Sequence, residues 1–377
     1  MTSIADLQGQ GRPELVVGLW RDGQWKTLVI DPLKGFEAQR GAKMTVKIGI
    51  IGCGVMGADH ARILLGGIPG GRLVAVHDAD PRRAAEVAAL AMGVRVVDSA
   101  LDLIADRDVD AALIASPNET HASLTIACIE AGKPALCEKP LASTLEGCRA
   151  VVAAEMRGGR RLVQVGFMRR FDPGYRAMKR SLDEQQLGRA LFFHCVHRNA
   201  VAPHYITSEE TIASSAVHEM DIARFLLGEE LAAVTVTGAR VSRHAEARQP
   251  QFLVMESASG VVVTVEAFVD ARYGYDVRAE LVCEEGTIAL EPNPPVSFRR
   301  ANRDGFDVEA DWRARFAEAY REQMRQWVAS IETGRPVGSS AWDGYAASAI
   351  AEVALKAQAA QSRMAIDIGE RPAFYAA

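Results

Sequence analysis

Apolar and polar positions follow two rhythms along this chain, and the change between them near residue 166 divides it. Val46 to Ile51 is mostly apolar and of strand length; three glycines follow, then a helical run from His60 to Leu65. Leu73 to Val76 repeats the strand pattern. Arg82 to Met92 is an alanine-rich helix stopped by Gly93, Val94 to Val97 is a short strand, and Leu101 to Ile104 belongs to a short helix. Ala111 to Ala115 is a further buried strand, the helix after it runs to Ala131 and is closed by Gly132, and Lys133 to Cys137 is strand again. Ser143 to Glu155 reads as a helix with Ser143 as its cap and Glu146 three residues on, and Leu162 to Val165 ends the series. Strands alternating with helices at this spacing predict a doubly wound parallel sheet.

Beyond that point strand-length segments follow one another: Arg189 to His197, Ala232 to Val241, Phe252 to Ser257, Gly260 to Phe268, Asp276 to Cys283 and Gly286 to Leu290. Turns such as Ala258-Ser259-Gly260 and Glu284-Glu285-Gly286 separate several of them, which predicts a mostly antiparallel sheet. Helices are expected at Gly174 to Asp183, Ser215 to Leu227, Arg313 to Ile331 and Gly344 to Gln361. The fold class is therefore α/β: a dinucleotide-binding domain over 44–166 and a second α/β domain over 167–377 with a large, mostly antiparallel sheet, its last helices free to pack back on the first domain. Residues 1–43 stand apart. They are either a short hairpin, Leu15 to Trp20 and Trp25 to Ile30, or an extension ahead of a start at Met44.

At 377 residues the chain is long enough for two cores. A formal charge of −5 without a basic cluster argues against nucleic acid. The six cysteines are scattered, with no Cys/His metal spacing, and read as reduced thiols of a cytoplasmic protein. No apolar run reaches the ~20 residues of a membrane span.

Gly52, Gly54 and Gly57 fall between a strand and a helix at G-x-G-x-x-G spacing, around Cys53, Val55 and Met56. Gly52 makes the turn, Gly54 admits a pyrophosphate, and Gly57 lets helix and strand approach, while the first-turn amides face the phosphates. Asp78, twenty-one residues after Gly57, suits a ribose hydroxyl and repels a 2′-phosphate, which selects NAD over NADP. The plainer readings are glycines that only relieve strain, and an Asp80-Pro81 helix start. In an open parallel sheet ligands sit beyond the carboxyl ends of the strands, which puts Ser116, Pro117, Asn118, His121, Glu138 and Lys139 at one rim. A lysine held there in a partly dry place has a lowered pKa and can assist removal of a hydroxyl proton; read alone, Glu138-Lys139-Pro140 is as well a surface lysine before a turn proline. His60, at the first helix, either touches phosphate or is solvated.

The sequence resembles the family of glucose–fructose oxidoreductases, inositol dehydrogenases and MocA-type proteins, and within it the myo-inositol 2-dehydrogenases, from Val46 to about residue 365. The resemblance rests on the glycine loop, Ala115 to Asn118 with His121, Glu138-Lys139-Pro140, Gly166 to Asp172, His197-Arg198-Asn199, Val217 to Asp221 and Tyr273 to Asp276. It implies a Rossmann domain followed by a domain whose open sheet packs in a homotetramer or homodimer, and oxidation of a secondary hydroxyl of a cyclic polyol or sugar by NAD. It implies Lys139 and His218 as the catalytic pair, with His218 as base and acid and Lys139 stabilising the alkoxide. Met168, Arg169, His197, Ser214 and Tyr275 are implied to line the substrate pocket, and the Lys139–Pro140 bond to be cis.

One position departs from the pattern. Ser214 stands four residues before His218, where inositol dehydrogenases usually carry aspartate, and serine keeps a hydrogen bond but removes the charge. The expected substrate is then a cyclic polyol or pyranose other than, or as well as, myo-inositol. Glu219 and Asp221 are set aside as charge donors, since successive helix positions do not share a face with His218. Two other readings remain: a sugar oxidoreductase that recycles a tightly held NAD(P), and a nucleotide-sensing regulator without chemistry.

Overall fold

The computed structural model describes residues 15–21, 24–30, 45–201, 206–243, 250–290 and 297–376. They fall into two compact units, one holding an antiparallel hairpin of β1 (Leu15–Arg21) and β2 (Gln24–Ile30), the other beginning at Val46. Met44 and most of the N-terminal extension lie outside the described residues.

From Val46 the chain alternates β3 (Val46–Ile51), α1 (Val55–Leu65), β4 (Gly71–His77), α2 (Pro81–Ala88), β5 (Arg95–Val96), α3 (Ala100–Ala105), β6 (Ala111–Ile114), α4 (Asn118–Glu130), β7 (Ala135–Cys137), α5 (Leu145–Gly158) and β8 (Val163–Val165). The six strands are all parallel, in the order β5-β4-β3-β6-β7-β8. That is the doubly wound order with its topological switch between β3 and β6, where a dinucleotide binds. β6 and β7 are apolar at every position and wholly buried, as a sheet covered on both faces requires. The cap of α5 is Thr144, whose hydroxyl accepts from the Gly147 amide at 3.1 Å, so the helix enters one residue later than Ser143 as a cap would set it.

The second sheet has seven strands, built from β9 (Ala190–Arg198), β10 (Leu231–Gly238), β11 (Gln251–Ser257), β12 (Val262–Phe268), β13 (Asp276–Cys283), β14 (Gly286–Leu290) and, after a further two-stranded ribbon of β15 (Phe298–Arg300) and β16 (Arg303–Gly305), β17 (Met364–Ala365). Its order is β14-β13-β9-β12-β11-β10-β17, and β12 with β9 is its parallel pair. Alternate residues of β11, β12 and β13 are buried, which places one face on the core. That core is covered by α6 (Pro173–Asp183), α7 (Val217–Leu227), α8 (Trp312–Thr333) and α9 (Ala341–Ala360). A π-helical turn, Thr211–Ala216, runs directly into α7, and α7 is buried almost all round, with Val217 to Arg224 all inside.

A buried ionic network fastens the second half. Arg170 reaches Asp221 on α7 at 2.6 Å and Asp343 on α9 at 3.2 Å, and Arg224 meets Asp343 at 3.1 Å. Tyr375, near the C-terminus, donates at 2.7 Å to Glu155 of α5, whose other oxygen takes the amides of Leu162 and Val163.

Candidate active site

The first wall of the site is the glycine loop. Gly52 has φ +91°, and a Cβ there would lie 2.4 Å from the Ser116 amide nitrogen. A Cβ on Gly57 would lie 1.8 Å from the Gly52 carbonyl, so α1 can rest on β3 only with glycine at that position. A Cβ on Gly54 would meet nothing within 4 Å, and Gly54 caps α1 without a side chain to take up its first amides. The loop thus leaves a helix N-terminus and an open approach, the two features a pyrophosphate needs. Helix α1 starts at Val55 rather than near His60, so Val55, Met56 and Gly57 supply those amides. Asp78, at the end of β4, accepts from the Cys53 amide at 2.6 Å and the Asp80 amide at 2.8 Å, and so fixes the loop as well as presenting its carboxylate. These residues fit a dinucleotide.

Beyond the loop opens a cavity of about 430 Å³. Of the residues singled out in the sequence, Val55, Met56, Ser116, Asn118, His121, Glu138, Lys139, Met168, His197, Ser214, His218 and Tyr275 line it. They arrive from the first turns of α1 and α4, the loops after β6 and β7, the 3-10 turn Met168–Phe171, β9, the π-helical turn, α7 and the segment ahead of β13. Pro117 lies just outside, as the residue that starts α4.

Lys139 follows β7, and its bond to Pro140 is cis. Its Nζ donates to the Ser214 carbonyl at 3.0 Å. Burial, opposed by Glu138 and assisted by Arg169, holds its pKa below the ordinary lysine range. Glu138 is buried beside it and accepts from the His60 ring at 2.7 Å; burial raises its pKa, but the His60 ring and Lys139 together outweigh this and hold it below the usual carboxylate range. His218 is 7% exposed, and its Nδ1 has no hydrogen-bond partner among the described residues. Burial, then the charges of Lys139 and Arg169 and the neighbouring His197, push its pKa well below 6.5, so the ring is neutral.

Several expectations are corrected. Arg169 is not among the cavity-lining residues: it lies behind the wall, 1% exposed, donating to Glu219 and standing 3.2 Å from His197 Nδ1. A buried guanidinium requires such a partner, and Glu219, held down to about pKa 2 against its burial chiefly by Arg169, provides it. Glu219 therefore belongs to the site's charge balance although it follows His218 directly; with no solvent face on α7, adjacent residues are both inside. His60 is neither solvated nor at phosphate but buried on Glu138. Ser214 turns its hydroxyl back to the Glu210 carbonyl at 2.5 Å, and its carbonyl is what meets Lys139. Tyr273 and Tyr275, two apart in the sequence, have different surroundings. Gly274 at φ +148° breaks the alternation ahead of β13, leaving Tyr275 buried in the cavity wall and Tyr273 exposed on Arg198.

Five further residues line the cavity without having been singled out for it: Ala115, Asn199, Ser215, Trp312 and Tyr320. Ala115 and Asn199 sit inside segments that carried the family resemblance, so a signal for them existed. Trp312 and Tyr320 come from α8, which returns to the cleft from far along the chain, and nothing local announces that.

Fold and site together define a dinucleotide-dependent oxidoreductase. Residues 46–167 match the NAD-binding Rossmann domain of the GFO/IDH/MocA oxidoreductase family and residues 175–289 the C-terminal domain of the same family. Inositol 2-dehydrogenase 1 of Saccharopolyspora erythraea is 52% identical over 336 residues, 88% of this chain and 99% of that protein. Inositol 2-dehydrogenase of Burkholderia cenocepacia is 42% identical over 335 residues, with the same coverage of both chains. Among solved structures, myo-inositol dehydrogenase from Lactobacillus casei in complex with NAD(H) and myo-inositol is 33% identical and superposes with a TM-score of 0.84 over 88% of this chain and 100% of that one. The chain belongs to the GFO/IDH/MocA oxidoreductase family.

Proposed function

We propose that the protein is an NAD-dependent dehydrogenase that oxidises a ring secondary hydroxyl of an inositol-type cyclic polyol to a ketone, with Lys139 and His218 handling the proton. The observation that carries this reading is one cavity, beside a glycine loop fit for a dinucleotide, into which a half-buried lysine and a neutral buried histidine both open. The inositol 2-dehydrogenases at 52% and 42% identity and the structural neighbour holding NAD(H) and myo-inositol support the substrate class.

The neutral His218 ring accepts the hydroxyl proton. The Lys139 ammonium, with one N–H committed to the Ser214 carbonyl, has two left for the oxygen as it becomes alkoxide. Bound NAD supplies the acceptor for the hydride. Glu219 pairs with Arg169, so that the buried guanidinium does not add an uncompensated charge beside Lys139. Ser214 brings no charge to the substrate, and the reading therefore extends to cyclic polyols related to myo-inositol.

The same reading takes the protein to be a homo-oligomer in the cytoplasm. In support, the outer face of the second sheet exposes Phe192 and Phe252, and all six cysteines are unpaired and buried, as suits a reducing compartment. The test is NAD reduction against a panel of inositols, amino-inositols and pyranoses. NADH formation with inositols supports the assignment, and turnover confined to open-chain or unrelated alcohols would overturn it.

A further inference from the structure

His121 lies on α4, 1% exposed, at the foot of the cavity. Its Nδ1 stands 2.7 Å from the Pro140 carbonyl and its Nε2 2.9 Å from the Ser116 carbonyl. Carbonyl oxygens only accept. A neutral imidazole donates from one nitrogen, and its other lone pair would face a carbonyl lone pair at hydrogen-bond distance. Two such contacts are both favourable only when both nitrogens carry hydrogen.

The geometry points to His121 as a positioning residue that works as a doubly protonated imidazolium, tying the loop after β6, which carries Ser116 and Asn118, to the turn that carries Glu138 and Lys139. The switch point opens between the glycine loop after β3 and the loop after β6, so the staple fixes one wall of the cleft that receives the nicotinamide end of the cofactor by holding the β6 loop against the β7 turn. The titratable groups facing it are Cys137 at the end of β7 and, in the cavity wall, Glu138 and Lys139. Burial opposes the charge; Cys137 and the two carbonyls outweigh it and lift the pKa to about 9. Because the folded value is raised above the ordinary 6.5, the staple's contribution is complete below 6.5 and is lost as pH rises through about 9. Alcohol oxidation is favoured by alkali, so the enzyme's cleft loosens in the range where its reaction is most favourable.

The test uses the full chain labelled with 15N-histidine, followed by long-range proton–nitrogen correlation across the pH range, with His121→Gln for assignment. The expected spectrum has both His121 ring nitrogens protonated at neutral pH, one of them lost with a midpoint about 9. NAD affinity, measured by calorimetry without substrate, should fall about tenfold through the same midpoint, the loss of one charge-assisted hydrogen bond. In His121→Phe it should be weak and flat across that range. A singly protonated ring at neutral pH, or a midpoint near 6.5, would overturn the proposal, as would an alkaline fall in His121→Phe equal to the wild type's. Should His121→Phe not fold, the wild-type spectrum alone decides. Protonation is read without turnover, so a wrong substrate assignment would leave this result standing.

Discussion

Replacing Lys139 with methionine removes one charged atom from the site and little else. Methionine keeps an unbranched stem of similar length, so the packing against the cavity wall survives, while the Ser214 carbonyl loses its 3.0 Å donor at a cost of about 1 to 2 kcal/mol in stability. An ammonium about 3 Å from a developing alkoxide, at an effective dielectric near 20, attracts it by roughly 5 kcal/mol. Desolvation of the ammonium offsets part of this, leaving about 3 to 4 kcal/mol, comparable with the loss of one oxyanion donor and equal to roughly a hundred- to thousandfold in kcat. NAD affinity should change by no more than about threefold, because the glycine loop is untouched and a cation has been removed from beside a cationic ring. The variant also lifts one of the causes that depress His218, so the acid limb of its residual activity should move to higher pH. Steady-state NADH absorbance gives kcat, and fluorescence titration gives the NAD dissociation constant. Turnover within a few-fold of wild type would refute the role given to Lys139, and equal losses in turnover and NAD binding would show that the substitution had only disrupted the cleft.

Three other outcomes follow from the same geometry. Gly54→Ala, whose Cβ meets nothing, should melt like the wild type yet lose at least about tenfold in NAD affinity, whereas Gly57→Ala, with its Cβ 1.8 Å from the Gly52 carbonyl, should lose about 3 kcal/mol of stability as well; equal melting temperatures for the two would contradict this. His218 works as a base only when neutral, and its depressed pKa keeps it so: kcat/KM should stay level as pH falls through 6.5 and decline only below, with an acid limb at or above 6.5 as the contrary result. Asp343→Asn leaves Arg170 and Arg224 short of a buried partner and should cost about 3 to 5 kcal/mol by denaturant titration, and a change under about 1 kcal/mol would mean the network is not a fastening.

The parts legible in the sequence are those whose signal is local. Strand, glycine turn and helix lie within twenty residues, and the stereochemistry of Gly52 and Gly57 leaves few alternatives, so the dinucleotide groove could be read directly. Lys139 and Asn118 followed from topology, since strand ends share a rim. What stayed hidden depends on partners distant in the chain. Whether Arg169 faces ligand or protein is decided by Glu219, fifty residues on, and by the absence of a solvent face on α7. The π-helical turn ahead of that helix, which turns the Ser214 hydroxyl back on Glu210 and its carbonyl toward Lys139, leaves no mark in residue periodicity. That the last helices can pack back on the first domain is read from the sequence, but that Trp312 and Tyr320 of α8 are what reach the cavity has no local code.

With its hydroxyl held between Lys139 and His218, a ring carbon of the substrate gives up its hydrogen to the nicotinamide as hydride. The direct measurement is mass spectrometry of the reduced cofactor after incubating enzyme and NAD with myo-inositol deuterated at its ring carbons. The expected product is NADH carrying deuterium at the nicotinamide, with a matching slowing of the reaction. Unlabelled NADH, or no reduced cofactor from any inositol, would contradict it.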